Sequence, residues 1–192
     1  GYVVKLLAVA KENSQGQLEI KVHPAFLPDS HPLAAVNDVF NAVFVNGDAV
    51  GEVMHYGQGA GQLPTASAVL GDVIDIARNI QYGISARIGC NCYEDRTILD
   101  INQLSAEFYI RMTVTDRPGV LAGIAGVFGN NNVSIASVIQ KTSSGNCAEL
   151  ILITHKVQEQ NMRDSLAVLQ GMSIVSRIDN VIRLEGTERM EV

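Results

Sequence analysis

Two glycine-centred turns carry the residue types best suited to chemistry in this sequence. In the first, Gly57-Gln58-Gly59-Ala60-Gly61 places three glycines in five residues, just ahead of a stretch at 64–79 where Ala68, Val69, Val73, Ile76 and Ala77 recur at helical spacing. Such a loop brings backbone N–H groups near a phosphate or a flat cofactor ring. Its spacing is neither G-x-G-x-x-G nor a Walker A, since no lysine follows the last glycine. By residues alone, a plain strand-to-helix turn and a ligand contact both fit. In the second, Asp116-Arg117-Pro118-Gly119-Val120-Leu121 joins an alternating apolar stretch to a helical one. Pro118 suits the first turn of a helix, and Gly119 permits close backbone approach. The free N–H groups of that helix start can hold a carboxylate.

Composition excludes other chemistry. With 192 residues, 47% apolar and 18% charged, the chain is long enough for one large or two small cores. A net charge of −6 and the lack of a basic run argue against nucleic acid as a partner. Apolar runs are too short for a membrane span and no signal-peptide pattern opens the chain, which reads as cytoplasmic. His23, His31, His55 and His155 share no metal-ligand spacing, so no metal is assigned. Cys90, Cys92 and Cys147 read as reduced, space-filling thiols. Asp72 and Asp75 read as part of a solvated helix face, and no Ser-His-Asp or Cys-His arrangement is present.

The elements that must position the turns follow from periodicity. Residues 1–11 are rich in helix formers and predict a helix, with Lys11 pointing away from Lys5 into solvent. Residues 18–23 alternate as a strand that Pro24 closes. Strands are expected over 36–45 and 49–56, joined at Asn46-Gly47-Asp48. Residues 108–184 then read strand, helix, strand, strand, helix, strand. That βαββαβ order predicts a four-stranded antiparallel sheet with both helices on one face.

Residues 108–184, with Asp116-Arg117-Pro118-Gly119-Val120-Leu121 at their centre, resemble the ACT domain, a regulatory module that pairs with copies of itself and binds amino acids between them. The resemblance implies an effector site at Asp116, Gly119, Val120, Leu121, Asn132, Ser134, Ile135, Ala136, Ser137 and Gln140. Residues 57–72, with 43–52 and 1–11, resemble the C-terminal half of homoserine dehydrogenase, of which many bacterial members end in an ACT domain.

That second resemblance implies an α+β chain: a mixed-sheet remnant of the catalytic and dimerisation region over 1–82, a linker over 83–107, the ferredoxin-like ACT domain over 108–184 and a frayed tail over 185–192. It implies that Gly59, Ala60, Gly61 and Thr65 lie against an NAD(P) cofactor. It also implies that Lys5 passes a proton to the substrate carbonyl. Aliphatic neighbours would lower the pKa of Lys5 by desolvation, as a proton donor near neutrality requires; a snorkelling surface lysine is the plainer reading.

The family's nucleotide-binding half is absent from these residues. The chain is therefore expected to be an inactive C-terminal fragment that holds no cofactor tightly. L-Threonine is the implied effector, and a homodimer or larger assembly through the ACT and dimerisation sheets the implied state. The alternative is a free ACT-type regulatory subunit of another biosynthetic enzyme, for which the glycine loop has no use.

Overall fold

A computed structural model describes residues 1–84 and 94–186. In chain order the strands and helices are β1 (Tyr2–Glu12), β2 (Leu18–Pro28), β3 (Phe40–Gly47), β4 (Gly51–Gln58), α1 (Gln62–Gln81), β5 (Ser105–Thr115), α2 (Val120–Asn130), β6 (Ile135–Ser144), β7 (Cys147–Thr154), β8 (Val157–Gln158), α3 (Glu159–Gln170) and β9 (Val175–Leu184). They form two compact units, one from Gly1–Pro28 with Arg96–Val192 and the other from Asp29–Asp95. The first unit thus joins β1 and β2 to the strands β5 to β9, and β5 begins at Ser105. Cys90 and Cys92 and the last six residues lie outside the described chain.

The expected helix over 1–11 is a strand. Leucine and alanine favour a helix by only tenths of a kcal/mol per residue. Tyr2, Val3, Val4 and Val9 fit a pleated surface, and β1 pairs with β2 antiparallel in unbroken register from Tyr2↔Pro28 to Glu12↔Leu18. Lys5 and Lys11, six apart, therefore share one face of β1. Lys11 is not merely solvated, since its Nζ lies 3.5 Å from Glu185. Asn13 closes the hairpin, its Oδ1 accepting from the N–H groups of Gln15 and Gln17 at 2.9 Å. β2 runs through Pro24 to Pro28; beyond that proline Ala25 and Phe26 pair with β9, while at its start Leu18 bridges Ile98.

In the same unit, β9, β5, β7 and β6 form the antiparallel sheet expected from the βαββαβ order. The alternate residues Phe108, Ile110, Met112 and Val114 of β5 enter a core with Ala148, Leu150 and Leu152 of β7, Val120, Ile124 and Phe128 of α2, and Met162 and Leu169 of α3. Fully burying a large apolar side chain contributes about 1.5–3 kcal/mol, so this set dominates the unit's stability. The sheet does not end at β9. Parallel pairing of β2 with β9 extends it to the order β1-β2-β9-β5-β7-β6.

In the second unit, β3 and β4 form a two-stranded antiparallel ribbon whose first strand starts at Phe40 rather than 36. Pro32–Ala35 make a 3-10 turn capped by His31, whose Nδ1 accepts from Leu33 N–H at 3.1 Å. Burial lowers the pKa of His31, against a smaller upward pull from Glu52, which keeps the accepting nitrogen available. α1 buries none of its residues; Leu63, Val69, Leu70, Val73 and Ile76 are all exposed.

Glu159, at the start of α3, accepts from Nε of Arg183 and from its Nη2 at 2.8 Å, and that guanidinium lies 5.6 Å from the Phe108 ring centre. Glu159 is buried, so removing Arg183 strands its charge. Arg183→Ala is expected to lower unfolding free energy by about 3–5 kcal/mol, read from urea denaturation; a loss under about 1 kcal/mol, the scale of an exposed pair, would contradict this role.

Candidate functional site

The glycine turn is built by the end of β4 and the start of α1. Gly59 N–H donates to the Val39 carbonyl at 3.1 Å, and a Cβ at Gly59 would stand 1.8 Å from the Asn41 amide nitrogen. The missing side chain of Gly59 is thus taken up by packing against β3. Gly61 caps α1 with φ of 136°, and Thr65 N–H donates to its carbonyl at 3.0 Å to begin the helix. Ala60, Gly61 and Thr65, with Gly59, Gln62, Ala66, Val69 and Leu70, line an open hollow of about 740 Å3. Small residues at a helix start leave room there for a flat ring, with apolar Val69 and Leu70 beneath it. Lys5 belongs to the other unit, half-buried in β1 opposite Ala25.

The second turn departs from expectation in one detail. Gly119, in the left-handed region at φ 89°, is the N-cap of α2, so Pro118 precedes the helix rather than entering its first turn. The turn is tied at its base, where Asp116 N–H donates to Asn146 and Thr115 N–H to Ile174, each at 2.9 Å. Gln140 Nε2 donates to Asp116 Oδ1 at 3.3 Å, which joins two of the expected effector residues. Val120 is buried in the core, whereas Leu121 is exposed. Asn132, with φ of 57°, and Ser134 follow the far end of α2, and Ala136 is the extra residue of a bulge between Ile135 and Ser137. Thr115 faces Cys147 while Ile135 faces Thr154 on the same strand, so the two groups stand about 20 Å apart within one chain.

A third cluster surrounds Glu185, which is buried and not part of a frayed tail. Its carboxylate is 2.6 Å from Lys21 Nζ, 3.5 Å from Lys11 Nζ and 3.4 Å from His23 Nε2. His23 is buried too, with Nδ1 donating to the Pro24 carbonyl at 3.1 Å. Burial raises the Glu185 pKa, but the hydrogen bond and charge of Lys21, with the charges of Lys11 and His23, outweigh it and hold the carboxyl below its ordinary range. A cavity of about 330 Å3, lined by Lys11, Lys21, Ser105, Lys156 and Glu185 among others, opens beside the cluster.

Comparison with known proteins decides what these elements belong to. Residues 1–74 match the family model for homoserine dehydrogenase, and residues 108–171 match the ACT domain. Homoserine dehydrogenase of Neisseria gonorrhoeae is 38% identical over 192 residues, covering 97% of this chain and 44% of its own length. That of Corynebacterium glutamicum is 41% identical over 189 residues, with 96% and 42% covered. A crystal structure of a homoserine dehydrogenase from Thiobacillus denitrificans aligns with a TM-score of 0.86 at 34% identity, over 96% of this chain and 43% of that one. The chain corresponds to the C-terminal region of the homoserine dehydrogenase family.

It spans less than half the length of the curated relatives it matches. A free-standing ACT subunit would account for residues 108–171 alone and leave the homoserine dehydrogenase match unexplained, so that alternative is set aside. Within the homoserine dehydrogenase region, sequence reasoning missed Lys21, His23 and their partner Glu185. The signal was present in Leu18-Glu19-Ile20-Lys21-Val22-His23, whose polar residues share one strand face, and that is the face turned inward. Cys147 is exposed rather than a core filler, and is free.

A folded-state pKa below the unfolded one means that Glu185 contributes stability above its ordinary value of 4.5, and that this is lost as pH falls through the lowered value. Thermal melts of wild type are expected to fall more steeply below about pH 4.5 than those of Glu185→Gln; parallel profiles would contradict the assignment. Gly119→Ala meets no neighbour within 4 Å, so only its backbone strain counts, and a loss of about 1 kcal/mol is expected in urea unfolding.

Proposed function

We propose that this chain is the C-terminal part of an NAD(P)-dependent homoserine dehydrogenase, which interconverts L-aspartate 4-semialdehyde and L-homoserine, and that its ACT domain senses L-threonine. The observation that carries the proposal is the joining of a glycine turn with its hollow, a lysine-bearing strand and an ACT sheet in one chain, in the family's order. When bound, the nicotinamide supplies or takes the hydride at the substrate's carbonyl carbon. Ala60, Gly61 and Thr65 would hold its ring at the start of α1, in the turn that Gly59 shapes against Asn41. Lys5 delivers the proton to the carbonyl oxygen in reduction and takes it back in oxidation.

In the ACT domain, the backbone N–H groups at Gly119 and Leu121 take an effector carboxylate beside Val120, whose own N–H donates to the Arg117 carbonyl at 3.4 Å, and Asp116, oriented by Gln140, takes its ammonium. The separation of Asn132, Ser134, Ile135, Ala136 and Ser137 from that turn supports a site completed by a second copy of the chain. Self-association is supported also by the outer face of the hairpin, where Val4, Leu6, Ile20 and Val22 are exposed. No described helix is long and apolar enough to cross a membrane. A cytoplasmic setting is proposed with the biosynthetic role.

The 192-residue chain is expected to bind L-threonine by calorimetry, and Asp116→Asn to weaken that binding by about tenfold, the scale of one charge-assisted hydrogen bond. Binding of a different amino acid with none of threonine would replace the effector. The same chain is expected to show no NADPH consumption with aspartate semialdehyde, and full turnover would refute its being a part. In the complete gene product, Lys5→Met should lower kcat by about 10²–10⁴ with little change in KM; an unchanged kcat would remove Lys5 from the chemistry.

A further inference from the structure

Lys5 and the ACT turn are joined through one sheet. Lys5 faces Ala25 across β1 and β2, Ala25 pairs with Arg183 of β9, and Arg183 pairs with Phe108 of β5. Two strand spacings put the Lys5 backbone about 10 Å from that of Arg183. β9 begins beside the ACT turn, where Ile174 accepts from both the N–H and the Oγ1 of Thr115, at 2.9 and 3.3 Å. It ends at Leu184, against β2. One strand therefore runs from the effector turn to the neighbour of the lysine strand.

The joint between β2 and β9 is thin. It has two parallel pairs, Ala25↔Arg183 and Phe26↔Leu184, and one further bond from Glu185 N–H to the Phe26 carbonyl at 2.9 Å. So short a parallel ladder is marginal by itself. Glu185 supplies the remainder: its buried carboxylate gathers Lys11 from β1 and both Lys21 and His23 from β2. Both strands of the hairpin are thereby tied to the end of β9.

We propose that Glu185 is a positioning residue that keys the hairpin bearing Lys5 to the regulatory sheet, so that an amino acid bound at the ACT turn is felt as increased order along β1. The proposal rests on the roles given above to Lys5 and to the Asp116 turn. Bound effector steadies the base of the turn, hence the start of β9, and the joint passes that order to β2 and β1. Without the Glu185 charge, Lys21 and His23 lose the group they converge on and the hairpin moves independently.

Hydrogen–deuterium exchange of the 192-residue chain, with L-threonine as the probe, tests this. In wild type, threonine is expected to slow exchange over 116–140 and also, by about fivefold or more, over 2–12. In Glu185→Gln the first effect should persist and the second vanish. A merely structural Glu185 would lower the melting temperature yet leave the response of β1 in place, and that result overturns the proposal. So does a wild type that responds at 116–140 but not in β1. Silence at both segments refutes the effector reading itself, and the proposal with it. Should Glu185→Gln fail to melt cooperatively, Lys11→Met, altering the half-exposed partner, serves instead: a weakened β1 response supports the proposal and an undiminished one overturns it.

Discussion

The arrangement depends on a backbone junction of two residues. Ala25 and Phe26 pair with Arg183 and Leu184, and through that contact a hairpin from the start of the chain becomes part of the same sheet as the ACT strands near its end. Parallel pairing over so short a span gives little by itself. It persists because polar groups are buried around it and matched. Arg183 is held by Glu159 and lies over Phe108, while Glu185 is held by Lys21, Lys11 and His23. Paired charges of this kind do more to fix register than to raise stability, because desolvation offsets much of the attraction. Here register is what matters, since it decides which residue of β9 stands beside Ala25, the partner of Lys5.

The hairpin also turns its polarity around. Glu19, Lys21 and His23 look inward, while Val4, Leu6, Ile20 and Val22 look outward. α1 shows the same pattern of exposed apolar residues, and it buries nothing within its own unit. By contrast, the ACT sheet and its helices close a core of their own from β5, β7, α2 and α3. The two regions thus differ in self-sufficiency, in keeping with a chain that spans less than half the length of its relatives.

Much of this was legible from the sequence, and the failures have physical causes. The ACT order could be read because each element is long, strongly periodic and bounded by clear turn residues, such as Gly119 and the run Asn130-Asn131-Asn132. The first strand could not. Leucines and alanines between lysines satisfy a helix as well as a strand, and only pairing with a segment six residues away in sequence, and beyond that with β9, decides between them. Glu185 looked like the start of a charged tail because nothing local marks it; its partners lie more than 160 residues earlier. At the glycine turn, residue type pointed to a ligand, yet Asn41 shows that Gly59 has a packing reason to be glycine that sequence spacing cannot reveal.

The strand carrying Lys5 and the ACT sheet are one hydrogen-bonded structure. A through-hydrogen-bond NMR coupling between the amide nitrogen of Glu185 and the carbonyl carbon of Phe26 tests it most directly. A detectable coupling is expected, with the Glu185 amide protected from exchange as well as those of β9 itself. No coupling, with a Glu185 amide that exchanges at the rate of an open loop, would contradict it.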